Sequence, residues 1–202
     1  MNRSPDRRRG QFTLVLLVLL FGLPPLAGWL FYVNPQWLPD GRKNHGVLIS
    51  PPRPLTSLPL QENDNTPFDW NSLKGHWTLV YHNRGTCDAP CQAQLQRLQQ
   101  IRRAVGGERF RIQRLLIQEG PTLSSNSTAE VQQGTGTRVL YLDPSQHTAF
   151  EQLFTIPGRD AEPATYLVDP NGMLMMAHGH EQPAKEILQD LEFLLKASRN
   201  WI

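Results

Sequence analysis

From Phe12 to Val33 the chain carries no charged side chain, and the run from Phe12 to Phe21 is close to pure hydrocarbon. A stretch of this length crosses a hydrocarbon core of about 30 Å as a helix, because the helix closes its own backbone hydrogen bonds where lipid offers none. Pro24 and Pro25 interrupt the run, a cost that membrane helices tolerate when the kink is supported locally. Arg3, Arg7, Arg8 and Arg9 precede it, and Trp29, Phe31, Tyr32 and Trp37 crowd its far end. Cations before and aromatic rings after predict a single-pass helix with the N-terminus in the cytoplasm and the C-terminal part outside. The alternative is a cleaved signal peptide, which shares the basic start and apolar core. The length of the run, and a nearest cleavage-like pair no better than Ala27-Gly28, favour the anchor. The formal charge of +2 has its excess in this opening segment, so it reads as an orientation signal with the lipid bilayer as partner, not as a nucleic-acid footprint.

The spacing of apolar and turn residues divides the chain into a basic tail at 1–11, a transmembrane helix at 12–33, a proline-rich stalk at 34–67 and a folded domain at 68–202. Pro35, Pro39, Pro51, Pro52, Pro54, Pro59 and Pro67 make the stalk extended and semi-stiff. Within it, the segment from Asn44 to Leu55 is more apolar than a spacer requires, and an edge strand is the alternative there. In the domain, Trp77–Tyr81 reads as a buried strand and His82–Thr86 as a loop. Leu95, Leu98, Ile101 and Val105 line one helical face that Gly106-Gly107 ends. Phe110–Ile117 suits a central parallel strand. A short strand at Val139–Leu142 and a helix at Thr148–Phe154 follow. Tyr166–Asp169 and Met173–Met176 pair across Pro170-Asn171-Gly172 as a hairpin, and Ile187, Leu188, Leu191, Leu194 and Leu195 mark a closing amphipathic helix. Strands and helices in this order predict an α/β domain with an antiparallel edge.

The chain has two cysteines, Cys87 and Cys91, at the junction between the first strand and the first helix. Two are too few for a disulfide framework or a four-ligand zinc site. Unpaired N–H groups at a helix N-terminus stabilise a thiolate, so Cys87, nearer the loop, is the expected nucleophile and Cys91 the resolving partner. Pro90 fits the first helical turn, where its missing donor is not needed. Asp88 acts in the opposite sense, since a neighbouring carboxylate raises a thiol pKa. The alternative is a purely structural disulfide.

From about Asp69 onward the chain resembles the Sco/SenC group of thioredoxin-fold membrane proteins. Thr86-Cys87-Asp88-Ala89-Pro90-Cys91 is similar to their CxxxC segment, although theirs usually have proline directly after the first cysteine. Gly46–Leu55 and Tyr166–Met176 are similar to a bacterial set of Sco-like transmembrane proteins whose genes tend to accompany cytochrome c oxidase genes. The resemblance implies a thioredoxin-like fold, a parallel or mixed sheet with flanking helices, over 68–202. It also implies a role in cytochrome c oxidase assembly, with an oxidase subunit or another assembly factor as partner and copper as a candidate ligand. Sco proteins hold copper with two cysteines and a histidine, and here Ala161 stands at the expected histidine position. Pro163 instead resembles the cis-proline that faces the dithiol in tethered thioredoxins of the TlpA-like group.

Other histidines can be weighed as a third copper ligand, since thiolates select Cu(I) and imidazole is compatible. His82, on the expected loop before Cys87, is best placed, both as active-site support and, with Cys87 and Cys91, as a copper ligand. His178 and His180 read as solvated turn residues, and Met173, Met175 and Met176 as strand packing. Three functional readings result: thiol-disulfide exchange supporting assembly of the oxidase copper site, a copper metallochaperone using Cys87 and Cys91, and a non-catalytic assembly protein with a structural disulfide.

Overall fold

Strand β3 (Trp77–Arg84) is buried at every residue but its last, as a strand covered on both faces must be. The computed structural model describes residues 5–34, 44–120, 125–156 and 165–199. They fall into two units, Met1–Lys43 and Asn44–Ile202. The first holds helix α1 (Pro5–Val33), which runs through Pro24 and Pro25. Its part from Arg9 to Val33, 25 residues, is long and apolar enough to cross a membrane, extending about 37 Å at 1.5 Å per residue.

The second unit is built on a seven-stranded mixed sheet. Its strands are β1 (Val47–Pro54), β2 (Leu60–Gln61), β3, β4 (Ile112–Glu119), β5 (Arg138–Leu142), β6 (Thr165–Val168) and β7 (Met173–His178), in the spatial order β1-β7-β6-β3-β4-β5-β2. β3, β4 and β5 run parallel. β6 joins β3 antiparallel, β7 follows antiparallel, and β1 and β2 close the two edges antiparallel. Alternation along the strands separates two cores. On one face Val80, Leu115, Ile117, Leu140 and Tyr166 pack with Phe150 and Phe154 of α4 (His147–Phe154) and with Leu55, Leu58, Leu60 and Leu73. On the other, Leu79, Tyr81, Leu116, Val139 and Leu167 meet α2 (Ala89–Ala104) through Cys91, Leu95 and Leu98, and α5 (Ala184–Ala197) through Ile187, Leu191 and Leu195.

Several sequence expectations shift. The part of the expected stalk from Asn44 to Pro67 belongs to the globular unit: Leu55, Leu58 and Leu60 are core residues, and β1 pairs with β7. Its prolines did not prevent this because β1 is an edge strand with a register shift between Leu48 and Arg53, where ladder donors are dispensable. β3 continues through His82 and Asn83, expected as loop, because β4 pairs with it as far as Arg84. The strand expected from Phe110 starts at Ile112, after a short 3₁₀ stretch from Gly106 to Arg111. Helix α3 (Ser125–Thr135) covers a polar stretch with little apolar periodicity. His178, expected in a solvated turn, is 1% exposed on β7, with Nε2 3.0 Å from the carboxylate of buried Asp190. The same carboxylate accepts the backbone N–H groups of His45 and Gly46, fixing the start of the globular unit against α5.

Candidate functional site

Cys87 and Cys91 form a disulfide with Cα atoms 5.1 Å apart, inside the usual bridging range. Cys87 lies on the loop, partly buried, and Cys91 is 1% exposed on the first turn of α2. Asp88 is the N-cap of α2, and its Oδ1 accepts the Cys91 N–H at 3.4 Å. That capping bond satisfies one orphan donor of the helix and places a negative charge beside the dithiol at the positive helix end. Pro90 sits within the first turn, as expected. Tyr81 shares the apolar cluster of Cys91 and, packed against it, Cys87. Burial, and next to it the Asp88 carboxylate, raises the Tyr81 pKa above its ordinary value, so the phenol stays neutral.

The loop into the dithiol is held from β4. The Gly85 N–H donates to the Glu119 carbonyl at 2.9 Å, and the Gly85 carbonyl accepts from the Gln118 side-chain amide. Gln118, fully buried, also accepts from Asn83 Nδ2 at 3.1 Å. Gly85 has φ +77°, a left-handed turn that glycine adopts without strain. Behind the cysteines, Gln94 of α2 donates to Thr165 Oγ1 of β6 at 2.8 Å, with 4% and 1% of the two residues exposed. This bond ties α2 to the strand next to β3.

His82 faces the other way. Its ring lies over Phe150, centroids 4.0 Å apart, and Nε2 is 3.0 Å from Glu119 Oε2. Phe150 belongs to the core opposite that of Cys91, so His82 is on the sheet face away from the dithiol helix. Burial pushes its pKa down to about 4, with the Glu119 charge and hydrogen bond offsetting part of that effect. Glu119 is a hub: His147 Nδ1 lies 2.9 Å from its Oε1 and Arg84 Nε 3.3 Å from its Oε2, while His147 Nε2 meets Glu151 at 2.9 Å. Burial raises the Glu119 pKa, but His147, His82 and Arg84 together outweigh it and the net direction is downward.

The structure therefore brings Cys87 and Cys91 together and turns His82 elsewhere. Ala161 and Pro163 lie outside the described residues. Among the described residues, no group of three or more His, Cys, Asp and Glu side chains is arranged to hold a metal ion. Sequence reasoning missed the capping role of Asp88, for which the Asp-Ala-Pro start of a helix is a readable signal. It also missed Gln94, Gln118 and Glu119, whose partners are strands distant in sequence.

A central parallel strand, a loop with a paired dithiol, a helix that carries the second cysteine in its first turn and an antiparallel hairpin define a thioredoxin-like protein. Residues 77–198 match the family described as transmembrane-like, thioredoxin-like, C-terminal domain, and the chain belongs to that family. Curated proteins give no match to the sequence. Among solved structures, apo Sco1 of Thermus thermophilus is similar with a TM-score of 0.60 at 16% identity, covering 75% of this chain and 97% of its own. Copper-bound yeast Sco1 has a TM-score of 0.55 at 16% identity, over 76% of this chain and 90% of that one. A thioredoxin-family thiol:disulfide interchange protein from Chlorobium tepidum has a TM-score of 0.51 at 18% identity, over 72% and 97%. At these identities the likeness concerns the fold, and it agrees with the thioredoxin-like architecture expected from the sequence.

Proposed function

We propose that the protein is a membrane-anchored thiol-disulfide exchange factor acting in the periplasm, in support of the copper site of cytochrome c oxidase. The observation that carries this reading is the asymmetry of the dithiol: Cys87 is on the loop, partly accessible, and Cys91 is buried on the first turn of α2. Attack requires an accessible sulfur, and resolution requires a second one within reach behind it. In the reduced protein the Cys87 thiolate attacks one sulfur of a substrate disulfide, forming a mixed disulfide and expelling the other substrate sulfur as thiolate. The Cys91 thiolate then attacks Cys87 Sγ, forming the Cys87–Cys91 bond and releasing the second substrate thiolate. The substrate gains two electrons and ends as a dithiol after taking up two protons, and the protein ends in the oxidised form seen here. A dithiol reductant restores it. Pro163, by its resemblance to the tethered thioredoxins, supports substrate at the same site.

The oxidase connection rests on the Sco-like resemblance, and the periplasmic side on the arginines before the apolar helix. Copper held by Cys87 and Cys91 is the alternative, supported by the fold shared with Sco proteins. His82 is not its natural third ligand, because Nε2 is engaged by Glu119 on the opposite face. The test is a Cys91→Ser full-length variant expressed in cells and analysed on non-reducing gels. Exchange predicts a covalent adduct through Cys87 with a protein carrying paired cysteines, an oxidase subunit among the candidates. No adduct, together with normal oxidase assembly when both cysteines are serine, overturns it. Stoichiometric, cysteine-dependent Cu(I) binding without any adduct assigns the pair to copper handling.

A further inference from the structure

On the α2 face of the sheet, away from the dithiol, a cation is buried without enough acceptors. Arg114 on β4 is 5% exposed and shares the face of Ile112 and Leu116. Its Nη2 donates to the Gly136 carbonyl at 3.1 Å, while among the described residues Nε and Nη1 have no hydrogen-bond partner. Thr137 stands beside it: Arg138 is opposite Leu115 across the β4–β5 pair, so Thr137 lies next to Arg114, and it shares the face of Val139. Thr137 is fully buried, and among the described residues its Oγ1 also has no partner. Among the described residues, three guanidinium N–H groups on β4 and one hydroxyl just before β5 thus lack acceptors.

Burial, and after it the like charges of Arg102 and Arg103, push the Arg114 pKa down to about 10. Arg102 is held in place by a bond from Nε to the Ile112 carbonyl at 2.8 Å. Arg103 is exposed, one turn beyond Gln99 on α2. Gln99 spans to the Gly134 carbonyl, so this side of α2 borders the turn at Gly134–Gly136. Gly136 has φ +64°, and a Cβ there would come within 3.0 Å of Arg114 Nη2, which keeps side chains off the guanidinium.

A water molecule would supply acceptors but no charge, and a cation held next to two others calls for an anion. A carboxylate has two oxygens for four unmade donors, whereas a phosphate group has more oxygens and up to two negative charges. We propose that Arg114 and Thr137, with Arg102 and Arg103, form a binding site for a phosphate-type oxyanion, supplied either as the free ion or as the headgroup of an anionic phospholipid.

The test uses the full-length protein in neutral detergent and reads thermal unfolding in inorganic phosphate, in dihexanoyl-phosphatidylglycerol, and in chloride at equal ionic strength. A saturable rise of Tm by several degrees in phosphate, beyond that in chloride, is expected, with the rise lost in Arg114→Met and its half-saturating concentration raised severalfold in Thr137→Val. A rise seen only with phosphatidylglycerol, with the same dependence on Arg114, supports the site with lipid as the source. The proposal is overturned if neither ligand exceeds chloride, or if Arg114→Met keeps the full shift. Should Arg114→Met fail to fold, Thr137→Val and Arg103→Gln decide it: unchanged half-saturation in both overturns the site.

Discussion

His82 makes the globular unit acid-sensitive by a calculable amount. Its side chain is 11% exposed, stacked on Phe150 and 3.0 Å from Glu119, and burial holds its pKa at about 4 against an ordinary value of 6.5. In the unfolded chain the imidazole takes a proton as pH falls through about 6.5, whereas the folded protein takes none until about 4. Between those values the unfolded state binds more protons, so stability falls with falling pH. The linkage relation gives a loss from this one group of about 2 kcal/mol at pH 5 and about 3 kcal/mol at pH 4, relative to neutral pH. The comparison is wild type against His82→Gln, which keeps a donor toward Glu119 but does not titrate. Denaturant unfolding of the oxidised full-length protein in neutral detergent, from pH 7.5 to pH 4, supplies the difference. The two stability curves should diverge below pH 6.5, with wild type losing more. Parallel curves within about 0.5 kcal/mol, or a wild type that gains on acidification relative to the variant, would refute the assignment of a buried neutral imidazole.

Replacing one member of the buried Gln94–Thr165 pair leaves the other unsatisfied, so Gln94→Leu and Thr165→Val should each cost about 1–3 kcal/mol. The double variant should cost less than their sum by about 1–2 kcal/mol in a denaturant-unfolding cycle, and simple additivity would show the two groups to be independent. Asp88→Asn keeps a capping residue and removes the carboxylate beside the dithiol. Stability should hold within about 0.5 kcal/mol, while alkylation of reduced Cys87 at pH 7 should speed up. An unchanged or slower rate would mean that the Asp88 charge does not act on that thiol.

The parts of the fold that the chain announces are those in which local pattern and burial coincide. Trp77–Tyr81, the Leu95/Leu98/Ile101 face, the hairpin around Gly172 and the Ile187/Leu191/Leu195 stripe all emerge as elements because one periodicity serves both secondary structure and core. The segment from Asn44 to Pro67 was obscured by its prolines, which signal extension but not whether the extended chain pairs; the answer depends on β7, more than a hundred residues away in sequence. α3 lacked an apolar stripe because its sequence is mostly Ser, Thr, Asn and Gln. For His82 the chemistry was legible and the direction was not. Because β3 continues through His82, the strict alternation of the strand gives His82 the face of Val80 and not that of Tyr81 and Cys91, and that continuation was fixed by pairing with β4.

That same pairing explains how a five-residue cysteine motif holds one geometry. Cys87 lies outside α2, so the helix alone cannot position it; Asp88 caps the helix through Cys91, not through Cys87. The remaining constraint comes from the end of β4, where the backbone of Glu119 and the amide of Gln118 grip Gly85 on both its N–H and its carbonyl. Gly120 closes against Gly85 as well: a Cβ there would lie 3.4 Å from the Gly85 nitrogen, and its φ of +108° admits few other residues. One sulfur is therefore placed by the helix and the other by a loop pinned to a different strand. Glu119 contributes its carbonyl to that pin and its carboxylate to His82 and His147 on the opposite face. Through this residue, the histidine side of the sheet and the dithiol loop share one support, although their side chains point apart.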